Sequence, residues 1–169
     1  MDSRIISDSD EYEESNIHWL RALIISIIIP LAIGFLTYLY AGNAMKAFDT
    51  MNKPALAPPA YLFSIAWTIL YVLMGIGAYA IYTSRKEGKT MLLFIYGVHL
   101  FFNAIWTPLF FIAKAYWFSF AWLMIMLLMV FYITIKSVKY SKLATFCFVP
   151  YAAWCVFAAY LNAGIAMLN

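Results

Sequence analysis

Residues 53–82 read KPALAPPAYLFSIAWTILYVLMGIGAYAIY. The segment opens with three prolines within six residues, Pro54, Pro58 and Pro59, and continues as an unbroken apolar run. Proline lacks a backbone N–H donor and disfavours helix at the residue before it, but it suits the first turn of a helix. The pattern therefore predicts an irregular loop that leads into a long apolar helix.

One side of this predicted helix is aromatic. Four residues follow one another at four-residue steps, and such residues share a helix face: Trp67, Tyr71, Gly75 and Tyr79. A face of this kind suits a neighbouring helix, which is ordinary aromatic packing in a membrane bundle. It also suits a flat ligand, and the spacing alone does not separate the two.

The composition indicates an integral membrane protein. The chain is 66% hydrophobic and 11% charged, whereas soluble domains contain about 25% charged residues. One compact domain accounts for the 169 residues. Cys147 and Cys155 lie eight residues apart in one apolar stretch, which is about 12 Å along a helix. That separation is too long for a disulfide, so no disulfide framework or zinc site is predicted.

Five apolar runs are long enough to cross a bilayer, which takes about 20 helical residues. They cover residues 19–41, 60–83, 91–112, 116–135 and 143–168. Residues 1–18 are rich in Asp and Glu and predict a solvated, disordered tail. The predicted fold is all-α: a bundle of five transmembrane helices over residues 19–169, preceded by that tail.

The distribution of basic residues predicts an orientation. With five spans, eight of the eleven Lys and Arg residues fall on the side of the N-terminus and three on the other side. Basic residues favour the cytoplasmic side. The N-terminus is therefore expected in the cytoplasm, and the proline-rich loop is expected outside.

Polar and aromatic residues share one face of the predicted third helix. His99, Asn103 and Trp106 follow at steps of four and three, and polar groups within a bilayer face the bundle interior or a cavity. Asn103 is expected either to bond a neighbouring helix or to line a pocket. His99 has no Cys, carboxylate or second His at ligand spacing, so it is interpreted as a packing residue rather than a metal ligand.

The predicted fifth helix repeats this arrangement. Tyr151, Trp154, Ala158 and Leu161 follow at steps of three, four and three. Ala158 leaves space beside the Trp154 ring, which makes room for a flat apolar guest. Tight helix packing through small residues is the alternative.

No catalytic pattern accompanies these faces. No Asp or Glu lies within a predicted span, which argues against an ion-coupled pump or a proton relay. The sequence has no Ser-His-Asp pattern, phosphate-binding glycine loop or HExxH motif, and nothing in it indicates nucleic-acid binding. From the residues, the prediction is a binder of a large, flat, apolar molecule, with no catalytic or metal site.

Three motifs resemble those of the TspO/translocator protein family, formerly called the peripheral benzodiazepine receptor. KPALAPPAYLFSIAWTILYVLMG (53–75) resembles the family's loop and second helix, FFNAIWTPLFF (101–111) its third helix, and VPYAAWCVFAAYLN (149–162) its fifth helix. The resemblance covers residues 42–168, with matching order and number of spans.

The resemblance implies a five-helix bundle, often a homodimer, whose pocket is covered by the first loop and contains no cofactor. It implies binding of protoporphyrin and related tetrapyrroles, of isoquinoline carboxamide and benzodiazepine compounds, and of membrane lipid or sterol. The residues that match the family's pocket are Phe48, Leu56, Pro58, Pro59, Asn103, Trp106, Trp154, Ala158 and Leu161. A second group of candidates comprises Trp67, His99, Trp117 and Tyr151.

Leu56 departs from the family pattern, Pro-x-Trp-x-Pro-Pro, in which an indole occupies this position. Some bacterial members are reported to degrade protoporphyrin in light, and the loop tryptophan is linked with that reaction. Leucine cannot exchange an electron with a bound sensitiser as an indole can. Degradation is therefore less expected here than binding.

Three functions are considered. The first is a tetrapyrrole-binding sensor, carrier or regulator; the alternatives are a light- and oxygen-dependent porphyrin-degrading enzyme and a lipid-, sterol- or partner-binding bundle without turnover. The short C-terminus and the lack of an organelle-type leader favour a prokaryotic cell membrane. A mitochondrial outer membrane is the second possibility.

Overall fold

The protein is a bundle of five helices. The computed structural model describes the backbone of residues 3–169 and the side chains of residues 17–39, 41, 42, 46, 48 and 50–169. The helices are α1 (Ser3–Met45), α2 (Ala60–Tyr82), α3 (Lys89–Thr107), α4 (Tyr116–Ser137) and α5 (Lys142–Leu168). A 3₁₀ segment, Lys46–Thr50, follows α1, and a π-helical turn, Pro108–Ile112, extends α3. The predicted all-α fold is confirmed.

Each helix contains a stretch that is long and apolar enough to cross a membrane. These stretches are Ile17–Leu39, Ala60–Tyr82, Lys89–Ile112, Tyr116–Ser137 and Lys142–Leu168. Their ends lie within a few residues of the predicted ones, because the charged residues that interrupt the apolar runs also mark the turns. The chain is therefore an integral membrane protein.

The helix α1 extends to the N-terminal side of its apolar stretch and begins at Ser3, within the segment predicted as a tail. Residues 1 and 2 and the side chains of residues 3–16 lie outside the described residues. The division of the chain at residue 18 therefore stays a prediction.

The helices form a closed ring in the order α1, α2, α5, α4, α3, in which each contacts its neighbours. A buried core joins α2, α4 and α5 through residues such as Met74, Leu123 and Phe148. The helix α1 approaches α2 closely at Gly75. A Cβ atom there would lie 2.6 Å from the Cα of Ile27 and from the carbonyl oxygen of Ser26. Glycine at this position therefore lets the two backbones touch.

Pro108 ends the regular part of α3, because proline has no backbone N–H to continue the helical hydrogen bonds. The helix stops at Thr107, and the chain continues through one π-helical turn. This turn buries Phe110 and Phe111. Both rings point toward the end of the bundle that carries the proline-rich loop, where they form a cluster with Phe48 and Ile165.

Candidate ligand-binding site

A cavity of about 770 Å³ lies inside the half of the bundle that is nearest to the proline-rich loop. Its described walls come from α1, the 3₁₀ segment, α2, α3 with its π-helical turn, and α5. Ligand pockets in proteins measure about 300–1,000 Å³, so the space suits a sizeable organic molecule.

Aromatic side chains form most of the walls. Trp67 of α2 and Trp154 of α5 meet edge to face, with ring centroids 6.5 Å apart and planes at 85°. Phe63 lies 5.9 Å from Trp154. Across the cavity, Trp106 of α3 stacks on Phe110 at 5.2 Å. Such rings offer flat apolar faces and hydrogen-rich edges to a planar guest.

Phe48 of the 3₁₀ segment lines the loop-side end of the cavity. Its ring is buried, with centroids 4.9 Å from Phe63 and 6.5 Å from Phe111. The ammonium group of Lys53 lies 4.8 Å from the centroid of the Phe48 ring. A cation over an aromatic face is attracted by the ring quadrupole, and this contact links the loop to Phe48.

Asn103 belongs to both the packing and the cavity wall. Its Oδ1 accepts a hydrogen bond from the Tyr71 hydroxyl at 2.7 Å, and its Nδ2 donates to the Tyr151 hydroxyl at 3.0 Å. The amide therefore joins α3 to α2 and α5, which is the helix-bonding role considered for it. It also lines the cavity.

His99 lies behind this amide and is buried. Its Nε2 lies 2.9 Å from the Tyr151 hydroxyl, and their rings meet edge to face. The histidine does not line the cavity, so the packing interpretation matches its surroundings. Among the described residues, no three His, Cys, Asp or Glu side chains lie together as a metal site would need.

A second amide, Asn162 of α5, holds the other wall. Its Oδ1 accepts from the indole Nε1 of Trp106 at 3.1 Å and from the Ser119 hydroxyl at 3.2 Å, while its Nδ2 donates to the carbonyl of Tyr116 at 2.9 Å. This network fixes the plane of the Trp106 ring. Sequence reasoning did not select Asn162, although its place one residue after Leu161 marks it as polar within a span.

The indole of Trp154 differs from that of Trp106 in its hydrogen bonding. Among the described residues, the Nε1 of Trp154 has no hydrogen-bond partner although it is buried. A buried donor without a partner costs about 1–3 kcal/mol. A lining residue of the cavity therefore carries a buried donor that no described group satisfies.

The structure brings together seven of the candidate residues at the cavity. These are Phe48, Trp67, Asn103, Trp106, Trp154, Ala158 and Leu161. The cavity also has lining residues that the sequence did not indicate, above all from α1: Leu31, Gly34, Phe35, Thr37, Tyr38 and Gly42. Most of them are apolar and lie in a helix without a recognisable motif, so no sequence signal separated them from lipid-facing residues.

The other candidates lie elsewhere. Leu56 is 82% exposed, and Leu56, Pro58 and Pro59 are not among the lining residues. Trp117 is 58% exposed on the outer surface of α4. Tyr151, like His99, is buried behind the wall. Leu56 also has a φ of 70°, a left-handed conformation that is strained for leucine.

The route of the loop explains why its residues miss the cavity. The Nδ2 of Asn169 donates to the carbonyl of Asn52 at 2.9 Å, and the backbone N–H of Asn52 donates to the Oδ1 of Asn169 at 3.2 Å. The Tyr160 hydroxyl donates to the carbonyl of Ala55. Pro54 packs on Gly164, where a Cβ atom would lie 2.6 Å from the proline ring. We call these contacts the loop clasp; they hold the loop against α5.

Comparisons with known proteins give the relationship of the chain. Residues 26–168 match the model of the TspO/MBR family. A tryptophan-rich sensory protein of Cereibacter sphaeroides is 35% identical over 80% of this chain and 90% of its own length. Protein CrtK of Rhodobacter capsulatus is 32% identical over 72% and 78%, and a translocator protein of Ovis aries is 31% identical over 80% and 82%.

Proposed function

The chain belongs to the TspO/MBR family, and we propose that it binds a flat, apolar ligand of the tetrapyrrole class in the cavity between its helices. Protoporphyrin is the first candidate. The observation that carries the proposal is the cavity of about 770 Å³ with Trp67, Trp106 and Trp154 in its walls. A macrocycle can stack on such rings, and its apolar surface leaves the lipid or water as it does so.

The rim of the cavity suits the acid groups of such a ligand. Lys46 of the 3₁₀ segment lines the cavity and is exposed at its loop-side end. An ammonium group at the membrane surface attracts a carboxylate, whereas the aromatic walls hold the apolar ring system. Isoquinoline carboxamide and benzodiazepine compounds, which are flat and aromatic, are expected to compete for the same space.

The test is a titration of the purified protein with protoporphyrin in the dark, followed by quenching of tryptophan fluorescence. Saturable quenching is expected. The variant Ala158→Phe places a ring in the cavity, and we expect it to weaken binding by about tenfold or more, equivalent to about 1.4 kcal/mol. A matched control is Ala153→Phe on the exposed side of the same helix, which should bind as the unmodified protein does.

Linear quenching that is identical in all variants would contradict the proposal, because it would mean that porphyrin only partitions into the detergent. Equal loss of affinity in Ala158→Phe and Ala153→Phe would also contradict it, since only the first alters the cavity. Thermal unfolding of both variants shows whether a loss of affinity reflects a loss of folded protein.

The porphyrin-degrading alternative is tested with the same samples under illumination in air. Three indoles line the cavity, those of Trp67, Trp106 and Trp154, and an indole can exchange an electron with an excited porphyrin. Faster loss of porphyrin absorbance with protein than in empty micelles would support degradation. Equal rates would mean that the protein binds porphyrin without degrading it.

A further inference from the structure

We propose that the cavity exchanges its ligand with the membrane interior through a slit between α1 and α2, so that the ligand is a flat amphiphile dissolved in the bilayer. The proposal rests on the proposed function in one respect, namely that the cavity holds a ligand. It goes further because it names the phase from which the ligand comes and the residues it passes.

The position of the opening follows from the exposure of the lining residues. Phe35 and Tyr61 line the cavity and are nevertheless 61% and 65% exposed. In the described part of the chain, the exposed lining residues belong to α1, the 3₁₀ segment and α2: Phe35, Tyr38, Lys46, Tyr61, Ser64 and Thr68. Described lining residues of α3 and α5 are buried or half-buried. The cavity therefore opens sideways, between α1 and α2.

The slit lies at membrane depth. Ser64 and Thr68 are four and eight residues from the start of α2, which is about 6 and 12 Å along the helix. They belong to the apolar stretch Ala60–Tyr82, and Phe35 belongs to Ile17–Leu39. The slit thus faces lipid chains over most of its length. Tyrosines near the loop end, Tyr38 and Tyr61, match the aromatic belt at the headgroups.

At the end of the slit that is farther from the proline-rich loop, glycine residues allow close contacts between α1 and α2. Gly75 touches the backbone of α1 at Ile27, and at Gly34 a Cβ atom would lie 2.4 Å from the ring of Tyr71. Toward the loop no such contact recurs among the described glycines of the two helices; Gly42 is covered by the ring of Tyr38 from its own helix, 3.2 Å from an added Cβ atom. The contacts at Gly75 and Gly34 hold the two helices together at Tyr71 and on its side away from the proline-rich loop.

Two hydroxyl side chains at the slit, in the described part of the chain, form hydrogen bonds within their own helices. The hydroxyl of Thr37 donates to the carbonyl of Ile33, and that of Thr68 donates to the carbonyl of Ser64. Each bond stays within its own helix. A molecule that enters here therefore displaces lipid and moves side chains, and it does not break these hydrogen bonds.

The water-facing end offers a less direct route. The ring of Phe48 is buried there, with Lys53 above the ring. The loop that carries Lys53 is held by the loop clasp, through Asn52 and Asn169 and through Pro54 on Gly164. A ligand that enters past Phe48 would have to remove this ring from its aromatic cluster, whereas entry through the slit leaves that cluster in place.

This geometry selects a class of ligand. A molecule that arrives through the slit must partition into lipid and must be thin enough to pass between two helices. An acid group can stay at the headgroup level near Lys46, which is exposed at the loop-side end of the cavity. A planar ring system with acidic substituents at one edge meets these conditions.

The test measures protoporphyrin binding rates by stopped-flow quenching, with the protein in lipid nanodiscs. Ser64→Phe narrows the slit, and Ile65→Phe adds the same ring one residue further round α2, at an exposed position that does not line the cavity. We expect Ser64→Phe to slow both association and dissociation, each by about tenfold, because a barrier on the path acts in both directions, whereas a clash within the cavity would speed dissociation. Ile65→Phe should behave as the unmodified protein.

The loop route is tested in parallel with Asn169→Ala, which removes both side-chain hydrogen bonds of the loop clasp to the backbone of Asn52. Unchanged rates are expected. Faster association in Asn169→Ala together with unchanged rates in Ser64→Phe would overturn the proposal in favour of entry from water. Should Ser64→Phe fail to fold, Tyr38→Ala widens the slit instead and is expected to speed both rates; unchanged rates in a folded Tyr38→Ala would overturn the proposal.

Failure of the route and failure of the proposed function give different results. Saturable binding with equal rates in Ser64→Phe and Ile65→Phe would overturn the route alone. Absence of saturable binding in the unmodified protein would overturn the proposed function and the route with it.

Discussion

The hydroxyl of Tyr151 is the point where α5 joins the polar side chains of α3. It accepts a hydrogen bond from Asn103 and pairs with the Nε2 of His99, and the side chain is buried. In lipid, a helix bundle gains little from the hydrophobic effect between helices, so packing and interhelical hydrogen bonds contribute much of its stability. This hydroxyl therefore supports the cavity wall that Asn103 forms.

Removal of that hydroxyl in Tyr151→Phe is predicted to destabilise the protein. It leaves both the Asn103 amide and the His99 ring without this partner in a buried place, at a cost of about 1 kcal/mol or somewhat more. Unfolding in mixed detergent micelles measures the change. Tyr132→Phe, at an exposed position of α4, serves as the control, and an equal change in both variants would refute the role of the hydroxyl.

For individual residues of the cavity, the sequence correctly indicated some positions and missed others. The spacing of His99, Asn103 and Trp106 correctly placed Asn103 and Trp106 on an inward face, because an i, i+4, i+7 pattern fixes which side chains share a side of a helix. The motif that contains Leu56 did not reveal its exposure. That exposure follows from the left-handed φ of 70° and from the loop clasp, whose partners lie more than 100 residues apart.

Among the elements, α1 and α2 form the pair that shapes the cavity. Their backbones touch at Gly75, while Tyr71 and Trp67, about one and two turns earlier on the same face, line the cavity. The spacing of the aromatic face of α2 left open whether it contacts a neighbouring helix or a flat ligand, and both interpretations apply to different parts of the face. Its lower part packs on a neighbouring helix, and its upper part is available to a ligand.

The variant Gly75→Ala is predicted to weaken this helix pair. The added Cβ atom meets backbone atoms, Cα of Ile27 and O of Ser26, at 2.6 Å, and backbone cannot rotate away as a side chain can. Overpacking of this kind costs about 1–3 kcal/mol, and the loss is measured as a lower melting temperature in detergent.

Gly97→Ala is the matched control for this variant, since nothing lies within 4 Å of its added Cβ atom. At an open helix position, alanine is favoured over glycine by up to about 1 kcal/mol. Gly97→Ala should therefore be as stable as the unmodified protein or more stable. A Gly75→Ala variant that melts at the same temperature as Gly97→Ala would contradict the close contact.

The contribution of α1 to the cavity could not be read from the sequence. Its residues 17–39 are almost uniformly apolar, so no polar or aromatic pattern distinguishes an inner face. Which α1 residues line the cavity depends on how α1 packs against α2 at Gly34 and Gly75. This packing involves both helices, so neither segment of sequence determines it alone.

For the whole molecule, the distribution of charge predicts how the bundle sits in the membrane. Eight of the eleven Lys and Arg residues lie on the N-terminal side of the predicted spans, which predicts that the N-terminus is in the cytoplasm and the proline-rich loop outside. The choice of membrane, a prokaryotic cell membrane or a mitochondrial outer membrane, and the homodimer implied by the family resemblance also stay predictions.

The orientation is tested with single cysteines and a membrane-impermeant maleimide in intact bacterial cells that express the protein. Leu56→Cys, at an exposed loop position, should be labelled without permeabilisation. Glu87→Cys, in the exposed turn between α2 and α3, should be labelled only afterwards. The native Cys147 and Cys155 are buried, so the unmodified protein gives the background. The reverse pattern would mean that the bundle has the opposite orientation.

The sequence by itself determined the number of spans, their limits to within a few residues and the family, because these depend on local hydropathy and on short motifs. It also placed the aromatic faces of α2, α3 and α5, since helical periodicity is a local property. The tertiary structure alone decided that α1 contacts α2 closely at Gly34 and Gly75, that the loop clasp holds the proline-rich loop against α5, and that the exposed lining residues of the cavity belong to α1, the 3₁₀ segment and α2. These features depend on contacts between distant segments, and such contacts form only when the helices pack.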